Sequence, residues 1–168
     1  MSAKYGQSGH GHNGDEQNCY EVRHMVRPMC EDDLPRIHRI ELASYDYPWS
    51  LGNFRDSMRA GYSVWVREAE GEVIGYYVMM AAAGEAHLLN MTIAPIWRRH
   101  GLGRELLEHC LTAAQGHRAS CLFLEVRPSN TAALALYHSS GFIDLAVRRD
   151  YYPSRNGRED AVIMKRDL

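Results

Sequence analysis

The chain has 168 residues, 45% of them hydrophobic and 24% charged, with a formal net charge of -2. That suffices for one domain around one core and lacks the basic excess that general nucleic-acid binding requires. No apolar run approaches the ~20 residues of a membrane span, and the N-terminus lacks the basic-then-apolar layout of a secretion signal.

Residues 1–22 are rich in Gly, Ser, His, Asn and Gln. Their apolar content is too low to offset the entropy of ordering, so a mobile tail is expected there, and residues 23–168 are expected to form the domain. His10 and His12 read as solvated tail residues or as adventitious metal ligands. The composition and spacing predict a strand at His24–Pro28. A helix follows to about Tyr45, capped by Asp32 or Asp33, with Leu34, Ile37, Ile40 and Glu41 at helical spacing. Pro48-Trp49-Ser50 reads as a turn, and Ser50 caps a second helix through Met58. Strands are expected at Tyr62–Arg67, Val73–Ala82 and Glu85–Ile93, the first two joined by a tight hairpin at Glu70-Gly71-Glu72. A helix is expected over Arg104–Gly116, then a strand at Ser120–Arg127 stopped by Pro128. Ser129-Asn130-Thr131 opens a short helix through Ser140, closed by Gly141. Phe142–Tyr151 and Ala161–Lys165 make a final hairpin. Strands in a row followed by strand–helix alternation predict a mixed α/β (α+β) sheet covered by helices.

Cys19, Cys30, Cys110 and Cys121 contain no Cys-x-x-Cys pair, so neither zinc nor a redox dithiol is indicated and no metal is expected. Scattered cysteines without a secretion signal read as reduced thiols in a cytoplasm.

Two constellations carry chemistry. The first is Arg98-Arg99-His100-Gly101-Leu102-Gly103, between an apolar strand and a helix start. Glycines allow close backbone approach, and the unpaired N–H groups and dipole of a helix start favour an anion. A structural turn is the alternative. A Walker loop needs Lys-Ser or Lys-Thr after its last Gly, whereas Arg104-Glu105 follows here. A dinucleotide fingerprint needs three spaced glycines, whereas two are present. The remaining Arg-x-x-Gly-x-Gly pattern points to a phosphate-bearing ligand. Arg99 and Arg104 reach phosphate oxygens or remain solvated.

The second constellation is Leu124-Glu125-Val126-Arg127-Pro128-Ser129-Asn130. Glu125 lies in an apolar strand, where a carboxylate is costly if both faces are covered. It is either a strand-end charge paired with an arginine or a general base beside a reactive group. Asn130 and Tyr137 share a helix face about 10 Å apart. Singly they read as a helix cap and a core aromatic; together, beside the phosphate loop, they would line one ligand channel.

These segments resemble the GCN5-related N-acetyltransferase (GNAT) superfamily. Leu89-Asn90-Met91-Thr92-Ile93-Ala94-Pro95, the glycine loop, Leu124-Glu125-Val126-Arg127-x-Ser129-Asn130, Ala135-Leu136-Tyr137, Gly141-Phe142, Arg148-Arg149-x-Tyr151-Tyr152-Pro153 and Gly157-Arg158-Glu159-Asp160-Ala161 fall in order. Within it the chain is similar to the bacterial ribosomal-protein alanine N-acetyltransferases, the RimI group, over Val26–Met164. Pro48-Trp49-Ser50 also matches, and Arg98 stands where that loop often begins with Gln. The resemblance implies a mixed central sheet splayed in a V between its two middle strands and flanked by about four helices. It implies acetyl-CoA as co-substrate, with Met91, Thr92 and Ile93 pairing to its pantetheine arm and Arg98, Arg99, His100, Gly101, Leu102, Gly103 and Arg104 holding its pyrophosphate. Asn130 would bind the pantetheine, Glu125 would act as general base and Tyr137 as general acid, with a backbone N–H near Ile93 stabilising the oxyanion. It further implies transfer to the N-terminal alanine of small-subunit ribosomal protein eighteen in a ternary complex, without an acetylated cysteine. No direct nucleic-acid or membrane partner is expected, and the state would be a monomer or weak homodimer. Glu41, Asp46, Glu85 and Asp150 are candidate cleft walls for a basic peptide or solvated charges, and Tyr151 and Tyr152 either flank the incoming N-terminus or form a half-exposed pair. Competing functions are acetylation of another N-terminus, a lysine or a small amine, a non-catalytic acyl-CoA-binding module, and a histidine hydrolase, for which no Gly-x-Ser-x-Gly elbow exists.

Overall fold

The structure is a computed structural model that describes residues 24–155 and 157–168; the expected tail, with His10, His12 and Cys19, lies outside them. One seven-stranded sheet runs in the order β1-β2-β3-β4-β5-β7-β6. Its strands are β1 (His24–Pro28), β2 (Ser63–Ala69), β3 (Glu72–Ala82), β4 (Glu85–Ile93), β5 (Cys121–Val126), β6 (Ile143–Ser154) and β7 (Gly157–Asp167). The helices are α1 (Leu34–Ser44), α2 (Leu51–Arg59), α3 (Leu102–Gly116) and α4 (Thr131–Ser139). Among the described residues no helix is long and apolar enough to cross a membrane.

Each face of the sheet buries its own core. Ile37, Ile40 and Phe54 of α1 and α2 pack on Val66, Tyr76 and Val78, with Phe54 edge-on to Tyr76 at 5.3 Å. Leu106, Leu107 and Cys110 of α3 and Tyr137 of α4 pack on Tyr77, Met79, Leu122, Leu124 and Met164 on the other face. A strand covered on both faces buries successive residues without alternation, which explains why β3 is buried from Val73 to Met79.

The helix starts repay comparison with the sequence. Ser50 caps α2 as expected, its hydroxyl accepting from the Asn53 N–H at 3.3 Å. Asp33 precedes α1, but its carboxylate turns back to the Cys30 N–H and to Arg27. The last hairpin is longer than predicted. Register shifts between Asp144 and Ala146 and between Arg148 and Tyr152 interrupt its alternation, and that hides strand from a period-two reading.

The feature that positions the site is the parting of β4 and β5. They pair in parallel only from Glu85–Leu88 against Cys121–Leu124. β4 then runs on to Ile93, still paired with β3, while β5 stays with β7 through Val126. A register shift in the β3–β4 ladder, between Val78 and Met79, falls where the two middle strands separate, and such irregularities bend strands. Gly75 holds the far end of β4 close. A Cβ there would lie 2.5 Å from Ile93 Cδ1 and 2.8 Å from the Thr92 carbonyl oxygen, a gap only glycine permits.

Candidate active site

The V between β4 and β5 has backbone on one wall and side chains on the other. The Ala94 N–H donates to the Ile74 carbonyl of β3 at 2.8 Å. Alternation along the strand therefore turns the N–H groups of Ile93 and Met91 away from β3 and into the opening. The Ile93 carbonyl on that side is taken by Arg98 Nε at 2.9 Å, and Arg98 Nη2 reaches the Ser44 hydroxyl at 2.8 Å. The Arg98 side chain is thus a strut from the loop to β4 and α1 and does not project into the phosphate cradle.

The loop itself fits an anion. Arg99 and Gly101 are left-handed, at φ 68° and 80°, between residues of negative φ. Such alternation curls successive N–H groups into a concave nest. Arg104 and Glu105 donate their N–H groups to the Gly101 carbonyl. Among the described residues, nothing accepts from the N–H groups of Arg99 to Gly103, which stand at the positive end of α3. Arg104 is turned aside, its guanidinium donating to the Ser139 hydroxyl at 2.7 Å. The His100 ring folds back toward the Trp97 carbonyl.

On the opposite wall Glu125 is the first β5 residue beyond the last pair with β4. Its side chain is 29% exposed, and it accepts from Arg148 Nη1 at 2.7 Å. Both sequence readings of this residue meet here: it has an arginine partner and it stands at the mouth of the splay. Arg148 lies over the Tyr151 ring, 4.7 Å from its centroid, and the adjoining Glu125 carboxylate holds the Tyr151 phenol above its ordinary value. Tyr151 and Tyr152 contact edge to face at 4.9 Å, with Arg127 4.3 Å above Tyr152. Burial, and then Glu125, push the Tyr152 phenol up as well.

Tyr137 is buried on α4, its ring tilted against Phe142. Burial raises its phenol well above the usual range, so the hydroxyl stays protonated throughout neutral and moderately alkaline pH. Asn130 is the N-cap of α4, its side-chain oxygen accepting from the Ala133 N–H at 3.2 Å; its NH2 group is left for other use. Glu159 braces the turn before α4 by accepting from the Ser129 N–H at 2.8 Å and from Arg127. That bracing role was not read from the sequence, although Glu159 lies in a matched segment.

Glu41 corrects the sequence reading. It is 1% exposed, neither a cleft wall nor a solvated charge. It accepts from the Trp49 N–H at 2.6 Å, from Asn90 Nδ2 at 3.0 Å and from the Tyr76 hydroxyl. Asp46 is exposed and paired with Arg155 at 3.0 Å. Cys110 is buried beneath α3, which pushes its thiol up to about 12 and leaves it a poor nucleophile.

A backbone-lined slot continuous with an anion cradle, facing a carboxylate, suits an amide-bearing arm that ends in a diphosphate. Comparison with known proteins agrees. Residues 32–142 match the acetyltransferase (GNAT) family. The chain is 39% identical over 132 residues to the [ribosomal protein bS18]-alanine N-acetyltransferase of Escherichia coli strain K12, covering 79% of this chain and 89% of that protein. The crystal structure of the ribosomal-protein-S18-alanine N-acetyltransferase from Escherichia coli superposes with a TM-score of 0.81 at 36% identity, over 87% of this chain and 94% of that one. Naa20 of Chaetomium thermophilum, solved in complex with a bisubstrate analogue, gives 0.75 at 30% identity over 86% of each chain. The chain belongs to the acetyltransferase (GNAT) family.

Proposed function

We propose that this enzyme moves the acetyl group of acetyl-CoA to the α-amine of a ribosomal protein, the N-terminal alanine of small-subunit protein eighteen, in the cytoplasm. The observation that carries the reading is that Glu125 lies where β5 leaves β4, across the splay from the strand segment that bears the N–H groups of Met91 and Ile93. The named relatives' substrate supports the choice of acceptor.

The amine nitrogen attacks the thioester carbonyl carbon. As the N–C bond forms, Glu125 accepts the amine proton, directly or through one water. An α-amine has a pKa of about 7.7–8.0, so part of it is already neutral at cellular pH. The oxyanion gains the N–H of Ile93. The C–S bond then breaks, and the departing thiolate takes a hydrogen bond or a proton from Tyr137. A thiol pKa of about 8.5 makes that help modest. The Met91–Thr92–Ile93 segment pairs with the pantetheine amides like an added strand, through Met91 and Ile93 on the side of β4 that β5 leaves open beyond Leu88, while the Thr92 backbone faces β3. The N–H groups of Arg99 to Gly103 hold the pyrophosphate. Tyr151 and Tyr152 flank the peptide, and Asp46 and Asp150 favour a basic one, whereas Glu85, paired opposite Cys121 at the closed end of β4, is a solvated charge away from the splay.

The test is mass spectrometry after mixing the full chain with acetyl-CoA and a peptide beginning Ala-Arg-Tyr, beside the same peptide with its α-amine blocked and a Lys added. Acetyl is expected on the α-nitrogen of the first peptide alone. Acetyl on the Lys peptide would replace N-terminal transfer with lysine transfer, and acetyl on neither would remove the proposed substrate.

A further inference from the structure

Resting on that reading, we infer that Glu41 is a positioning residue: through Tyr76 and Thr92 it sets the Tyr45 hydroxyl as a hydrogen-bond acceptor for the incoming amine. Glu41 stands among Ile37, Ile40 and Leu34 on the buried face of α1. No Arg, Lys or His pairs with it among the described residues. A buried carboxylate without a cation is expensive unless its hydrogen bonds are met, and a leucine would pack this face of the helix more simply. The fold nevertheless brings it three donors, from the α1–α2 connection, β3 and β4.

The chain of hydroxyls continues past it. Tyr76 Oη lies 3.1 Å from Thr92 Oγ1, and Thr92 Oγ1 lies 2.7 Å from Tyr45 Oη. Each hydroxyl has one proton. The one Tyr76 proton is drawn to the carboxylate, and the Thr92 proton is left for Tyr76 Oη or for Asn90 Oδ1 at 3.3 Å, both of which belong to groups that donate to Glu41. Thr92 then accepts from Tyr45. All three protons point toward Glu41, directly or through Asn90, and the lone pairs of Tyr45 are left facing outward. Polarisation along such a chain strengthens each acceptor in turn.

Tyr45 ends the chain at the splay. It follows directly on α1, whose Ser44 is tied to Arg98 and through it to the Ile93 carbonyl. Burial and then the Tyr45 phenol raise Tyr137, and Tyr45 also contributes to Tyr152. The Tyr45 phenol, held on Thr92 of β4 beyond the last β4–β5 pair, borders the splay whose other strand carries Glu125. An amine entering that space has two or three N–H bonds to satisfy, and Glu125 collects one proton. Tyr45 takes another N–H and orients the lone pair for attack.

The experiment measures steady-state kinetics of the full chain and of Tyr45→Phe, Tyr76→Phe, their double variant and Glu41→Gln. The acceptors are peptides with free N-terminal Ala, Ser, Gly or Met and the blocked Lys peptide, and each KM is read on whichever acceptor the unaltered chain acetylates best. The expected result is that each Tyr variant raises the acceptor KM about tenfold, the loss of one hydrogen bond to a charged or polarised amine, with the acetyl-CoA KM unmoved. The double variant should be no worse than either single one, because a chain cut twice is still one chain. Independent effects that multiply, an unchanged acceptor KM, or a parallel rise in the acetyl-CoA KM would each overturn the inference and leave Glu41 a structural anchor. Should Glu41→Gln fail to fold, the two tyrosine variants decide alone. A wrong substrate appears differently, as a change in which peptide the unaltered chain prefers.

Discussion

Glu125→Gln is expected to lower kcat by about 10²–10³-fold while leaving the acetyl-CoA dissociation constant unchanged, the scale of a lost general base. Glutamine keeps the size of the side chain and can still accept a hydrogen bond from Arg148, but it cannot take the amine proton. The partly exposed Glu125–Arg148 pair contributes at most about 1 kcal/mol to stability, so the thermal midpoint should hardly move. Stopped-flow or calorimetric binding of CoA separates the two effects. The defect should persist as pH rises past the α-amine pKa of about 7.7–8.0, because bulk solvent then supplies the neutral amine but not an acceptor for the proton it sheds as the N–C bond forms. A loss below about tenfold at neutral pH would hand the proton to another group, and the tyrosines beside Glu125 would be examined first.

Gly101→Val should raise the acetyl-CoA KM at least about tenfold, because the N–H groups that form the cradle follow directly from the left-handed backbone at this position. Gly101 sits at φ 80°. A β-branched residue there is a true steric outlier, and such strain is on the order of 1–3 kcal/mol. The chain relieves it by turning Gly101 toward an ordinary conformation, which swings the N–H groups of Leu102 and Gly103 out of the nest. Gly103 supplies the contrast. It lies inside α3, and a Cβ would meet Leu136 Cδ2 at 3.6 Å, ordinary contact. Gly103→Ala should therefore fold at least as stably, gaining about 0.5–1 kcal/mol of helix preference. Thermal melts and acetyl-CoA titrations of the two variants check the contrast.

The strand and helix order was legible because each element announces itself locally. β3 reads as a continuous apolar run, Ser50 stands where α2 begins, and Gly141 follows α4. The glycine loop was legible for the same reason: its conformation demands particular residues at particular places. Glu41 was not, since a carboxylate at core spacing looks the same in sequence whether it meets water or three buried donors. Those donors come from Trp49, Tyr76 and Asn90, far apart along the chain. The side-chain partners of Arg98 and Arg104 were not legible on similar grounds. A guanidinium beside a phosphate loop suggests an anion contact, yet one holds Ile93 and Ser44 and the other Ser139. Glu125 was legible as an anomaly in an apolar strand, although its partner Arg148 lies beyond the register shift in β6 that sequence periodicity cannot follow.

The account rests on direct transfer, with acetyl donor and amine held together in the splay and no acetylated enzyme between them. Rapid-quench mass spectrometry of the intact protein and the peptide, with enzyme in excess over acetyl-CoA, tests it most directly. The account predicts that acetylated peptide appears at the rate free CoA appears, that no acetyl appears on the protein, and that omitting the peptide stops CoA release. An acetyl group on Cys110 or Cys121 that forms without peptide and passes to it afterwards would contradict the account.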